Sequence, residues 1–160
     1  VRGINEFLIV FVFAQLISCT GSRNFTGENI LIEMEKTPCY GQCPVYSIQI
    51  DQMGNGLFKG VENTELVGLY SFHLHDDELI HLKSMFEGIG FFTLEDRYFE
   101  YVSDLPTTYI TYRSGGKEKK IMDYYGAPKE LNNLEKQIET LVLTKKMKKI
   151  DQTKTSEKQK

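Results

Sequence analysis

Cys39 and Cys43 are the residues of this chain best placed to do chemistry, inside Thr37-Pro38-Cys39-Tyr40-Gly41-Gln42-Cys43-Pro44. Their spacing permits two outcomes. Oxidised, they close a small ring, for which Gly41 can supply the positive φ that so short a loop requires. The chain-entropy model gives such a ring only about 2 kcal/mol, enough to fix a loop but not to hold a fold. Reduced, they offer two soft thiolates that, with His73, His75 or His81, would suit Cu(I). His73 and His75 are two apart in a stretch that reads as strand, which puts them on one face. Beside Asp76, Asp77 and Glu78, and with no third ligand fixed by spacing, they read more simply as surface histidines, and no metal site is assigned.

Asp104, in Ser103-Asp104-Leu105-Pro106-Thr107-Thr108, and Asp123, in Asp123-Tyr124-Tyr125-Gly126-Ala127-Pro128, are the carboxylates a hydrolase would use. Acid and base work by such a pair needs a defined separation and a cleft. Turn formation and the start of a helix explain both positions without catalysis. A phosphate-cradling glycine loop, a G-x-S-x-G elbow and H-E-x-x-H are all absent from the chain. The expectation is a domain that is not an enzyme and carries no cofactor.

The remaining cysteine decides where the others live. Phe7 to Ile17 is a nearly unbroken apolar run of eleven residues, too short for a bilayer-spanning helix of about 20 and suited to the core of a signal peptide. Leu16-Ile17-Ser18-Cys19 follows and resembles the lipobox of bacterial lipoproteins. The resemblance implies a diacylglycerol on the Cys19 sulfur and cleavage after the small Ser18. It also implies a cell-envelope location, with the outer membrane favoured because Thr20 is not Asp. Two or more acyl chains, at about 0.8 kcal/mol per buried methylene, give stable anchoring. With Cys19 acylated outside the cytoplasm, Cys39 and Cys43 form an even pair in an oxidising compartment, and a disulfide becomes the leading reading.

Composition agrees with one soluble domain. The 160 residues are 41% hydrophobic and 26% charged, with nine Tyr, ten Phe and no Trp, a balance that suits a sheet-rich core. The net charge of −3 is uneven, because residues 144–160 hold seven Lys against Asp151 and Glu157. The rest of the chain is therefore acidic, which argues against nucleic acid as a partner.

The elements that must position these residues follow from periodicity. Residues 20–28 are polar and read as a tether. Alternation marks strands at Ile30 to Met34 and Val45 to Asp51, then a turn at Gly54-Asn55-Gly56 and further strands at Leu57 to Val61 and Leu66 to Leu74. Asp76 and Asp77 cap a helix carrying Leu79, Leu82, Met85, Phe86 and Ile89. Thr93 to Pro106 wraps the surface. Thr107 to Arg113 and Lys119 to Tyr125 make a hairpin around Gly115-Gly116, and Pro128 starts a second helix with Leu131, Leu134, Ile138 and Leu141 on one face. The order ββββ-α-ββ-α predicts an α+β two-layer sandwich, an antiparallel sheet with both helices on one face. The domain limits expected are 1–18 signal peptide, 19–28 tether, 29–143 α+β domain and 144–160 basic disordered tail.

Two further resemblances bear on function. C-x-x-x-C-P is similar to the copper-binding motif of thioredoxin-fold copper chaperones, but those place it in a βαβ unit and here it lies between two strands of a meander. In order, T-P-C-Y-G-Q-C-P-V-Y (37–46), G-F-F (90–92), D-L-P-T (104–107) and D-Y-Y-G-A-P (123–128) resemble a bacterial family of domains of unknown function found in lipoproteins and secreted proteins. By that resemblance Cys39, Cys43, Asp104, Asp123 and Tyr124 are motif positions expected to gather in space. The leading expectation is a non-enzymatic lipoprotein, held at the membrane by its lipid, that binds a protein, peptide or glycan. The binding surface would be Tyr40, Asp104, Asp123 and Tyr124. A metal or thiol redox module at Cys39 and Cys43 is the alternative, and a hydrolase using Asp104 and Asp123 a further one.

Overall fold

Ile32 and Met34 alternate with Glu33 and Glu35 along the first strand, β1 (Ile30–Lys36), giving it one apolar and one acidic face. In the computed structural model, which describes residue 25 and residues 29–151, this strand lies inside the sheet with a neighbour on each edge. β2 (Val45–Asp51), β3 (Asn55–Glu62) and β4 (Gly68–His73) extend from one edge of β1 as an antiparallel meander. After α1 (Asp76–Gly88) and a 3-10 turn at Phe91–Thr93 come β5 (Arg97–Tyr98), β6 (Thr108–Ser114), β7 (Lys117–Asp123), α2 (Lys129–Leu143) and β8 (Lys148–Lys149). The β6–β7 hairpin docks on the other edge of β1, so the sheet runs β5-β7-β6-β1-β2-β3-β4-β8.

The chain is thus α+β, with two corrections to the expected sheet. Among the described residues it has eight strands, and it is mixed, because β5 pairs parallel to β7 through Arg97 with Met122 and Tyr98 with Asp123. The other addition, β8, pairs with Tyr70 and Ser71 of β4. Each of the two has only two residues, too few to show an alternation. Residues 148–149 fall within the stretch expected as a basic tail, yet Met147 packs against the core and the Ile150 N–H donates to the Leu69 carbonyl at 2.8 Å. The expected signal peptide at 1–18, Cys19, the tether apart from Phe25, and residues 152–160 lie outside the described residues. Among the described residues no helix is long and apolar enough to cross a membrane.

One face of the sheet makes the core. Ile32, Met34, Tyr46, Ile48, Ile50, Phe58, Phe72, Ile110, Tyr112 and Ile121 are buried together with Leu79, Leu82 and Phe86 of α1 and Leu131, Leu134, Ile138 and Val142 of α2. The opposite face carries Glu33, Glu35, Ser47, Gln49, Tyr109 and Lys120 around a shallow depression of about 210 Å³. Two inward positions in β3 are glycines for a steric reason. A Cβ on Gly56 would overlap the Phe72 ring, and one on Gly60 would overlap the Leu66 carbonyl oxygen.

The β2–β3 turn is built on a buried carboxylate. Asp51 Oδ1 accepts from the N–H groups of Met53 (2.8 Å) and Asn55 (2.9 Å), while Oδ2 accepts from Asn55 Nδ2 at 2.9 Å. Gly54 takes the positive φ, 79°, and Asn55 and Gly56 already belong to β3, so the turn lies one step earlier than the glycines suggested. α1 also begins differently. Its N-cap is His75, whose N–H donates to Glu78 Oε2 at 2.9 Å, and Asp76 and Asp77 form the first turn, where they favour the helix dipole.

Candidate functional site

Strand register gathers three of the four motif segments, 37–46, 104–107 and 123–128, at one end of the sheet, whereas Phe91 and Phe92 of 90–92 pack on Tyr112 farther along β6. Tyr98, Asp123, Thr108, Lys36, Tyr46, Gly60 and Gly68 pair in succession across seven strands, so they form one row on the helix-covered face. Loops 37–44, 63–67, 99–107 and 124–128 all leave the sheet from this row. The tight connections at 52–54 and 115–116 lie at the other end.

The row is polar and α2 covers it with carboxylates. Glu135 follows Leu131 by one turn and precedes Ile138 by three residues, so helical spacing drives it into the apolar face, where it is 7% exposed. Its Oε1 has no hydrogen-bond partner among the described residues. Burial, then the charge of Asp123, pushes the Glu135 carboxyl up to about 8, against the opposing pull of the nearby Thr108 hydroxyl and Lys36. Asp123, 9% exposed, is raised by burial as well. Lys36 Nζ pairs with Glu139 at 3.2 Å and lies 5.8 Å from the centre of the Tyr46 ring. The Tyr46 phenol is held protonated by burial and by the charges of Glu139 and Glu135. Glu135 and Asp123 are thus a buried acidic pair at the loop end, with Lys36 beside them.

Above the row the loops are tied to one another. The Thr37 N–H donates to the Thr107 carbonyl, and the Thr107 N–H to Thr37 Oγ1, both at 3.0 Å, which clamps the cysteine loop to the D-L-P-T segment. Cys39 and Cys43 are at disulfide distance, with Cα atoms 5.7 Å apart, and Asn63 Nδ2 donates to the Cys43 carbonyl at 3.2 Å. Tyr124 stacks on Phe99 with ring centres 5.3 Å apart, and its hydroxyl donates to the Val102 carbonyl. On this framework Tyr40 is 90% exposed and Tyr101 fully exposed, with Phe99, Tyr125 and Leu105 partly open to solvent beside them.

The expected site residues therefore converge as segments and separate by depth. Tyr40 and Asp104 lie on the exposed loops, Asp104 with a left-handed backbone (φ 71°). Tyr124 is half-buried and acts as a strut. Asp123 belongs to the buried row and is corrected from a surface position to an inward one, because it is the last inward residue of β7. The histidines are also corrected, since only His73 is in a strand and His75 starts α1. Their rings stand 6.2 Å apart, with His81 exposed on α1. Among the described residues no group of three or more His, Cys, Asp or Glu is arranged to hold a metal ion.

Glu135, Glu139 and the aromatic pair Phe99 and Tyr101 were missed from sequence. A charge inside the stripe Leu131-Leu134-Ile138 was the available signal for Glu135. For Phe99 and Tyr101 it was aromatic residues in a segment with no periodicity.

The family described as "Domain of unknown function (DUF6438)" matches residues 30–142, limits that run from the first residue of β1 to the last turn of α2. No curated protein and no solved structure matches the chain.

Proposed function

From the premise that the chain belongs to this family, which brings a domain but no reaction, we propose that it is a non-enzymatic binding module. Its motif-bearing loop end receives a protein, peptide or glycan, and a lipid on Cys19 holds it in the cell envelope. The observation that carries the reading is the pair Tyr40 and Tyr101, almost wholly solvent-exposed on loops that are themselves braced by the Thr37–Thr107 clamp and the Tyr124 strut. Tyrosines presented this way lose little rotamer freedom on binding and offer both an apolar ring and a hydroxyl, the chemistry of binding hot spots. The buried carboxylates fit a supporting role, since Asp123 and Glu135 lie beneath the loops and out of reach of a large substrate.

The anchoring part of the proposal rests on the apolar run Phe7 to Ile17 and the Leu-Ile-Ser-Cys segment that follows it. Intact-mass analysis of the chain from its native host tests this part, with a diacylglyceryl chain beginning at Cys19 as the expected species. The binding part is tested by presenting peptide and glycan arrays to the full chain and to the double variant Tyr40→Ala/Tyr101→Ala. Loss of binding by about tenfold or more with an unchanged melting temperature is expected. Equal binding by both chains overturns it.

A further inference from the structure

Loops 37–44, 63–67, 99–107 and 124–128 hold three carboxylates, Glu65, Glu100 and Asp104, and no Lys, Arg or His. All three are exposed, and none takes part in an ion pair among the described residues. They flank the exposed rings. Tyr101 lies between Glu100 and Asp104 in the chain, and the loop of Tyr40 is tied by the Asn63 bond to the loop that carries Glu65. The Glu100 carboxylate lies 3.0 Å from where a Cβ on Gly126 would stand, which brings its charge onto the 124–128 loop beside the exposed Tyr125. The cations that border these loops do not neutralise them. Lys36 is held by Glu139, Lys129 is followed by Glu130, and Lys149 stands against Gly68 at the β4 edge.

We propose that this end takes an extended cationic segment of a partner polypeptide, with its Lys or Arg side chains on the Tyr40 and Tyr101 rings and their charges facing Glu65, Glu100 and Asp104. The proposal names the partner chemistry of the binding reading above and rests on it. Arg97 already makes the contact a partner would repeat, since its guanidinium lies 4.7 Å from the centre of the Phe99 ring, which also stacks on Tyr124. Among the described residues no cation lies over Tyr40 or Tyr101. A cation on an exposed ring contributes about a two- to fivefold gain in affinity, and neighbouring carboxylates add a further gain that salt screens. The cysteine loop is footed on β1 and the Phe99–Tyr124 stack on β7, two strands away, so about 10 Å lies between them. About three residues of extended chain cover that span. An acidic peptide or an anionic glycan meets like charge here, and a neutral ligand gains nothing from the carboxylates.

Fluorescence anisotropy of the full chain with labelled probes tests this. One peptide carries three Lys spaced by Gly and Ser, a second carries the same Lys acetylated, and a third has Glu in their place. A neutral N-acetylglucosamine oligomer is the fourth probe. The expected result is that the Lys peptide binds about tenfold tighter than the other three, and that the difference shrinks as salt is raised. Glu65→Gln/Glu100→Gln/Asp104→Asn should weaken the Lys peptide by about tenfold at an unchanged melting temperature. Asn suits position 104 because it accepts the left-handed backbone there. Equal binding of the Lys peptide and its acetylated form, or equal binding by the parent chain and this variant, overturns the proposal. Preference for the acidic peptide or the glycan, lost in Tyr40→Ala/Tyr101→Ala, overturns it while upholding the broader binding reading. Binding of no probe also overturns it and leaves the broader reading to the arrays.

Discussion

Glu135 is a carboxyl in an environment far from what its type prefers, buried in the apolar face of α2. A carboxyl held at about 8 in the folded chain and near 4.5 when unfolded takes up a proton on folding between those values. Stability therefore falls as pH rises through that window, by up to about 1.4 kcal/mol per unit, and the raised Asp123 adds to the trend with the same sign. Lys36 opposes the trend and Glu139 reinforces it. Glu135→Gln removes the proton uptake at this site, so the variant should be the more stable chain near pH 8 and lose that advantage near pH 5. Urea melts of both chains across the range measure this, and a variant less stable at the upper end contradicts it. Asp51 is the opposite case, a buried carboxylate with its partners in place. Asp51→Ala leaves two turn N–H groups without their acceptor and should cost about 1–3 kcal/mol, read as a lower denaturant midpoint at unchanged slope. An unchanged midpoint would remove Asp51 from the turn's support.

At the scale of elements, six strands and two helices were legible because each is long enough to repeat its period. Val45 to Asp51 alternates through its whole length, and Leu131, Leu134 and Ile138 mark the face of α2. β5 and β8 were not legible, since two residues have no period and their pairing is set by what lies beside them. The order of strands was hidden for a related reason. The β6–β7 hairpin could have joined either free edge of the meander, and only the packing of α1, α2 and the turn at Phe91–Thr93 selects the β1 edge. The convergence of the motif loops depends on that choice, so the candidate site was legible as segments and not as a place. Gly60→Ala forces its Cβ against the Leu66 carbonyl and should destabilise the β3–β4 pairing by about 1–3 kcal/mol, whereas Gly115→Ala, with open space around its Cβ but a φ of 59°, should cost less. Thermal melts rank the two, and the reverse order contradicts the steric account. Cys39→Ser/Cys43→Ser should lower stability by only about 2 kcal/mol while weakening ligand capture by the loop. Two free thiols titrating in the unreduced native chain would instead favour thiol or metal chemistry there.

The whole molecule is polarised along its strands. One end gathers the loops, the exposed aromatics and the buried acidic row, and the other receives the chain's first strand, beside a depression lined by Lys146 and Lys148. The proposed place of ligand capture is the loop end. A photoreactive amino acid placed in turn at Tyr40, Tyr101, Met53 and Ile80, all exposed, and activated in intact cells of the native host tests this placement most directly. Adducts at positions 40 and 101 with none at 53 and 80 are the predicted result. Adducts spread evenly over the four positions, or confined to 53 and 80, would contradict it.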